Sequence, residues 1–248
     1  MMKRFFAIAL FVLGLGQLYA QPVRDTAWTK AGYFGLKLTQ VSLSSWSAGG
    51  ESALAFDSQI TYSADFKRDR QLWQNRLELG YGLTKNDGKS ARKTNDKIYF
   101  ASTYGYQIYK TLYWSALLNF NTQFAKGYDY NIEDSDFISK FMAPGYLMIG
   151  TGVTWSPNKI FTATFTPASW RGTIVADSRL SDEGAFGVDK GKHLLSEFGA
   201  NLKAEVNYEF LPNMKVYSRL ELYSNYLEDP QNVDVRWEVQ LNMAINKW

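Results

Sequence analysis

The chain has 248 residues, enough for one large domain, and no cysteine, which excludes a disulfide framework, a thiol-ligated metal and a lipoprotein anchor. Its 27 Lys and Arg against 24 Asp and Glu leave a net charge of +3, without the basic excess a nucleic-acid partner would require. Aromatic residues are plentiful (8 Trp, 16 Tyr and 16 Phe), which suits side chains lining two membrane interfaces and equally a soluble β-sandwich.

Lys3 and Arg4 precede an apolar run from Phe5 to Gly16 that closes at Ala20. That layout is a secretory signal peptide over residues 1–20, too short for a spanning helix. No later apolar run is long enough for a helical span. Residues 21–32 read as a periplasmic lead-in and 33–248 as the folded domain.

The domain reads as a succession of strands. Tyr33 to Leu43 is the first, followed by a turn at Trp46-Ser47-Ala48-Gly49-Gly50-Glu51. Leu54, Phe56, Ile60, Tyr62 and Phe66 then alternate with Asp57, Gln59, Thr61, Ser63 and Asp65. After a tight charged turn at Lys67 to Arg70, Trp73, Leu77, Leu79 and Tyr81 alternate with Gln74, Arg76, Glu78 and Gly80. A polar loop is expected from Lys85 to Asn95. Strand four carries Ile98, Phe100, Tyr104 and Tyr106, and turns near Lys110 into strand five, with Trp114, Ala116, Leu118 and Phe120. A loop rich in Asp and Tyr runs from Lys126 to Asp136. Strand six spans Ser139 to Trp155, and strand seven Ile160 to about Val175. The longest loop, Ala176 to Lys192, leads to the eighth strand.

That eighth strand, Leu194 to Phe210, is the clearest in the chain. Its even positions include Leu194, Phe198, Ala200, Leu202, Ala204, Val206, Tyr208 and Phe210; its odd ones include Glu197, Asn201, Lys203, Glu205 and Glu209. A period of two held over seventeen residues exceeds the ~5–6 of an ordinary strand and covers the ~9–11 of a membrane-crossing one. Pro212-Asn213 turns it into strand nine, Met214 to Tyr226, and the last strand begins at Val233. Ten strands with connections alternately short and long predict an all-β, transmembrane, antiparallel up-and-down β-barrel. Pro144 and Pro167 fall inside strands six and seven and are expected at bulges near the outer rim. The chain ends in Trp248, a terminal aromatic suited to the barrel-assembly machinery, although it is out of step with the last strand's outward positions.

Several local motifs look like landmarks of a known family. They are Trp46-Ser47-Ala48-Gly49-Gly50, Lys93-Thr94-Asn95-Asp96-Lys97, Tyr104-Gly105-Tyr106, Gln123-Phe124 with Gly127-Tyr128, Ala143-Pro144, and Gly184-Ala185-Phe186-Gly187-Val188. The chain resembles a domain-of-unknown-function family of secreted, β-rich envelope proteins from Bacteroidota. The resemblance implies an envelope protein and carries no activity or catalytic residues.

The remaining chemistry is sparse. His193, beside Asp182, Glu183 and Asp189, is the weak candidate for a rim general base acting on outer-leaflet lipid or peptide; a solvated rim residue is the plainer reading. Asp129, Asn131, Glu133, Asp134 and Asp136 lack the glycine of a calcium loop, so neither a metal site nor a cofactor is expected. Inward positions mix both signs, as in Arg76, Glu78, Lys97, Glu197, Arg236 and Glu238, with glycines that make room for neighbouring rings. Between strands eight and nine, paired residue numbers summing to 424 set Glu209 opposite Lys215, Glu205 opposite Arg219, and Lys203 opposite Glu221, a lumen charge ladder. The expected protein is a non-enzymatic outer-membrane scaffold, docking protein or narrow small-solute channel. Its expected partners are outer-membrane lipid, lipopolysaccharide and the assembly machinery. A soluble periplasmic barrel with its apolar face inside, binding an apolar ligand, is the other architecture that this periodicity allows.

Overall fold

The structure, a computed structural model, describes residues 27–43, 50–132 and 136–243. The signal peptide at 1–20, the first part of the lead-in, the turn residues Trp46 to Gly49, Glu133, Asp134 and Trp248 lie outside the described residues.

The strands in chain order are β1 (Trp28–Val41), β2 (Ala53–Arg68), β3 (Gln71–Asn86), β4 (Arg92–Tyr109), β5 (Leu112–Thr122), β6 (Gly127–Tyr128), β7 (Phe137–Ser139), β8 (Gly145–Trp155), β9 (Phe161–Ile174), β10 (Leu194–Leu211), β11 (Met214–Asn225) and β12 (Val233–Met243). A short helix, α1 (Ser178–Asp182), lies between β9 and β10. Ten of the strands form one antiparallel up-and-down sheet, while β6 and β7 make a separate two-stranded piece. Two-residue turns join β2 to β3, β4 to β5 and β10 to β11, with Asp69, Lys110 and Asn213 at positive φ. The longer connections gather at the opposite end.

The sheet is open. Among the described residues β1 and β12 share no ladder, so the expected closed barrel is a curled ten-stranded sheet with two free edges. Tight turns and face patterning act between strands adjacent in sequence. No local signal of that kind joins strands at opposite ends of the chain.

Three expected boundaries and the place of one expected bulge differ. β1 begins at Trp28, taking up five residues of the expected lead-in, because Trp28 pairs with Phe66 and packs near Trp73. The expected polar loop at 85–95 shrinks to 87–91: β3 runs to Asn86, and Arg92 and Lys93 pair with Thr84 and Leu83. Strand six divides into β7 and β8 because Ala143 is fully buried among the loops and draws the chain off the wall before Pro144. Pro167 does sit at a bulge, but in mid-wall rather than at the rim. The ladders on both sides of β9 shift across it, between Thr166 and Ser169 on β10 and between Phe165 and Ala168 on β8. Gly152 makes this possible: a Cβ there would lie 2.0 Å from the Phe165 carbonyl oxygen.

Candidate functional site: the polar concave face and its capped mouth

One face of the sheet is lined by small polar groups. Ser115, Thr154 and Thr164 form a chain of hydroxyls across β5, β8 and β9, with spacings of 2.8 and 3.0 Å. Ser169 donates to the Gly199 carbonyl at 2.8 Å, and Asn201 is buried beside Glu221 and the Leu222 carbonyl. This face is concave, since Arg171 on β9 reaches Asp234 on β12 at 3.1 Å although two strands lie between them in the sheet. Thr166 Oγ1, Arg219 Nε and the Tyr223 hydroxyl are buried here without a hydrogen-bond partner among the described residues.

The ladder residues stand in a register whose numbers sum to 424: Lys203 opposite Glu221, Glu205 opposite Arg219 and Glu209 opposite Lys215. A bulge follows, so that Leu211 rather than Phe210 faces Met214. Opposition in the ladder is not always pairing. Glu209 and Lys215 do meet, at 3.3 Å. Glu205 takes its contacts from Lys203 on its own strand at 3.3 Å and from the Tyr217 hydroxyl at 2.9 Å. Arg219 turns the other way, to Glu238 on β12 at 2.6 Å. Glu221 is contacted by the Asn201 amide at 3.4 Å. A second charged group lies on β3 and β4, where Glu78 accepts from Arg76 and Lys97, each at 2.5 Å.

The residue that alternation misses is Arg171. Below the Pro167 bulge, even positions (Thr162, Thr164, Thr166) share the face of the odd positions of β10; above it, odd positions (Ser169, Arg171, Thr173) do. Arg171 thereby joins Glu197 through two bonds of 2.8 and 2.7 Å and lies 3.9 Å above the Tyr223 ring. The proline within the strand was the available signal.

At the long-loop end two connections pack on each other. Ala143, Val175, Leu180 and Val188 form a small apolar core, with Phe137, Ala185, Phe186 and Leu195 against it. Asp177 caps α1 by accepting from the Leu180 N–H at 3.0 Å and binds Lys140 of the other connection at 2.5 Å. The Lys140 hydrogen bond, then that backbone N–H, hold the Asp177 carboxyl below its ordinary range. Arg179 bonds the Phe137 carbonyl and lies 4.4 Å from the ring centre. Nearby, Asp96 is almost fully enclosed, taking Lys93 at 2.6 Å and the N–H groups of Phe124 and Ala125. Most of the quoted sequence motifs that the structure describes therefore meet around this cap. At its margins, Lys89 lowers the Glu51 carboxyl and Lys192 lowers that of Asp189.

His193 is exposed, its Nδ1 2.7 Å from the Val175 carbonyl oxygen. Two of the three acids expected beside it are engaged elsewhere, Asp189 with Lys192 and Glu183 with Arg179. Asp129 spends a carboxylate oxygen on the Asn131 turn, at 3.0 Å to both its N–H and its amide. Among the described residues, no group of three or more His, Cys, Asp or Glu is placed to hold a metal ion.

Fold and site together define an all-β protein built on one ten-stranded meander with a polar concave face. Residues 38–128 match a family described as a protein of unknown function, DUF3078. The match runs from the end of β1 to β6; it includes the Lys93–Lys97 motif but leaves out the charge ladder and α1. No curated protein and no solved structure matches the chain.

Proposed function

We propose that this protein is an outer-membrane β-barrel, exported through a cleaved signal peptide, serving as a non-enzymatic envelope scaffold or docking protein with at most a narrow path for small solutes. The observation that carries this reading is the convex face. Phe34, Leu38, Ile149, Phe165, Val235 and Trp237 are all exposed there, while the Ser and Thr side chains of the concave face are buried. A soluble protein would reverse that arrangement.

The convex face also has edges of the right kind. Trp73, Tyr106, Trp114, Trp155, Phe161, Tyr208 and Phe210 flank the short turns, and Trp170, Phe198 and Tyr226 stand toward the long loops. Phe198 and Phe210 are twelve positions apart on β10, which at ~3.4 Å per residue and a ~40–45° tilt is about 30 Å. That is roughly the thickness of a bilayer's hydrocarbon core. Lipid leaves no exposed backbone polar group unsatisfied, so the free edges of β1 and β12 pair with each other once the sheet is inserted.

The concave face carries mixed charges and large tyrosines, so planar bilayers should record no large, steady conductance. Lipid and lipopolysaccharide then contact the convex face, and the assembly machinery inserts it. The test is fractionation: the protein should sediment with outer membranes and resist carbonate extraction. Recovery in the soluble periplasmic fraction would overturn the proposal.

A further inference from the structure

We propose that the connection between β5 and β8 makes a second lipid contact, outside the wall: its β6–β7 ribbon lays Phe124, Tyr128, Ile138 and Phe141 into the interfacial layer of the outer leaflet. This inference rests on the membrane reading above and extends the lipid contact past the ends of the strands.

The strands lead the chain there. On β5 the even positions face outward, since Leu118 stands opposite Ile149 of the convex face. Thr122 keeps that phase, and Phe124 follows it. Thr122 stands opposite Ile98, which puts Ile98 and Asp96 on the convex side of β4. A hydroxyl and a carboxylate are poorly suited to a face that meets lipid. The connection itself closes both off. The buried Thr122 hydroxyl donates to the Pro144 carbonyl at 2.9 Å and accepts from the Met142 N–H at 3.0 Å. Asp96 accepts from the Phe124 and Ala125 N–H groups at 2.7 and 3.0 Å. The connection thus leaves and rejoins the wall against polar groups of its convex side, and its own outer surface continues the apolar one.

The side chains on that outer surface set the partner. Phe124, Tyr128, Ile138 and Phe141 are each at least 40% exposed. Isolated exposed apolar residues are ordinary. These four sit on two paired segments, Gly127–Tyr128 and Phe137–Ser139, or within three residues of them. β7 has two unlike faces: Phe137 packs on the cap core, whereas Ile138, next in the strand, is exposed on the other side. The neighbouring connection at 176–193 does the reverse, exposing Glu183, Asp189 and Lys192 and no large apolar side chain. Lys126 lies at the base of the ribbon, 4.6 Å from the Phe137 ring centre, and makes no ion pair among the described residues. Its charge complements headgroup phosphate, and a basic group beside apolar and aromatic ones is the composition of an interfacial segment. A protein partner would not require the patch to continue the convex face; a bilayer does.

The chain has no cysteine, so Ile138→Cys and Phe141→Cys each accept one environment-sensitive fluorophore. Leu202→Cys in mid-wall is the lipid reference, and Lys190→Cys, exposed on the other connection, is the water reference. The full-length protein is folded into phosphatidylcholine vesicles, with and without a lipid carrying a nitroxide near the top of its acyl chain. Probes at 138 and 141 should emit to the blue of the probe at 190 and lose emission to the nitroxide, as expected ~5–10 Å into the headgroup–acyl boundary. The probe at 190 should be unaffected. If the probe at 202 reports lipid while those at 138 and 141 behave like the one at 190, the ribbon is left to water or a protein partner; the inference then fails and the membrane reading stands. If the probe at 202 reports water as well, both fail.

Discussion

The strand wall and the loop cap obey opposite rules. In the wall, Thr166 and Ser169 are fully buried while Leu38 and Trp237 are about seventy per cent exposed (70% and 72%). In the cap, Ala143, Val175 and Leu180 are buried, and the charged groups of Lys192, Asp189 and Glu183 face outward. One chain thus carries both an inverted pattern and an ordinary one. The hydrophobic effect is the same in each; on the membrane reading proposed above, what differs is the medium that the outer surface meets. On that reading the cap is built as a water-soluble miniature, and the wall as a surface for lipid.

The sharpest way to break this comparison is to damage each region and change the solvent. Leu180→Ala removes a buried side chain from a core of few members and should destabilise the cap by about 2–5 kcal/mol. Amides of residues 176–192 should then exchange faster with deuterium, while those of β3 and β4 stay protected. Loss of protection in the wall as well would show that the two regions fold as one unit. Leu202→Arg is the counterpart in the wall: Leu202 lies opposite Leu222 and Phe165 in the middle of β10. In lipid vesicles it should cost about 2–4 kcal/mol, measured by denaturant unfolding, whereas Lys203→Arg beside it should be near neutral. Equal costs would mean that the convex face does not meet lipid.

How much of this was visible in the sequence follows the same division. Wall strands repeat every two residues, and their turns are tight, so strand order and the β10–β11 register could be read from residue types alone. Pairing of the ladder charges could not. A register fixes which Cα atoms face each other, but Arg219 is long enough to choose between Glu205 and Glu238, and it takes Glu238. Arg171 was hidden for a different reason: the Pro167 bulge reverses the facing of β9 halfway along. The cap was the least legible region, because its core joins residues from 137 to 195 with no period between them. That the sheet stays open was beyond reach, since its two free edges, β1 and β12, come from opposite ends of the chain.

Smaller effects can sharpen the picture of the cap. Asp177 ties both connections together, and its pKa is depressed below the ordinary 3.8 by Lys140 and the Leu180 N–H. A depressed carboxyl contributes stability that is present above its unfolded value and lost as pH falls through the folded one. Pepsin should therefore nick the 176–192 connection increasingly as pH drops below about 3.8 in the parent protein. Asp177→Asn, which keeps a capping oxygen but loses the charge, should cost about 1 kcal/mol and show a much flatter pH profile. A parent profile without any rise at low pH would remove Asp177 from this role.

The smallest expected effect concerns the one ladder pair that does close. Glu209 and Lys215 meet at 3.3 Å, but both side chains are more than half exposed, near the two-residue turn. Exposed ion pairs contribute little, because water already solvates both charges and ordering two long side chains costs entropy. The pair's coupling in a double-mutant cycle (Glu209→Gln, Lys215→Met and both together) should be about 0.2–0.5 kcal/mol and fade at high salt. The register itself should survive all three variants, since the apolar positions Leu202, Ala204, Leu220 and Leu222 fix it on the opposite face. Cysteines at Glu205 and Arg219 would report on it: they should crosslink with a short reagent even when the Glu209–Lys215 pair is gone. A large coupling energy, or loss of that crosslink in the double variant, would make charge rather than the apolar pattern the force that sets the wall's register.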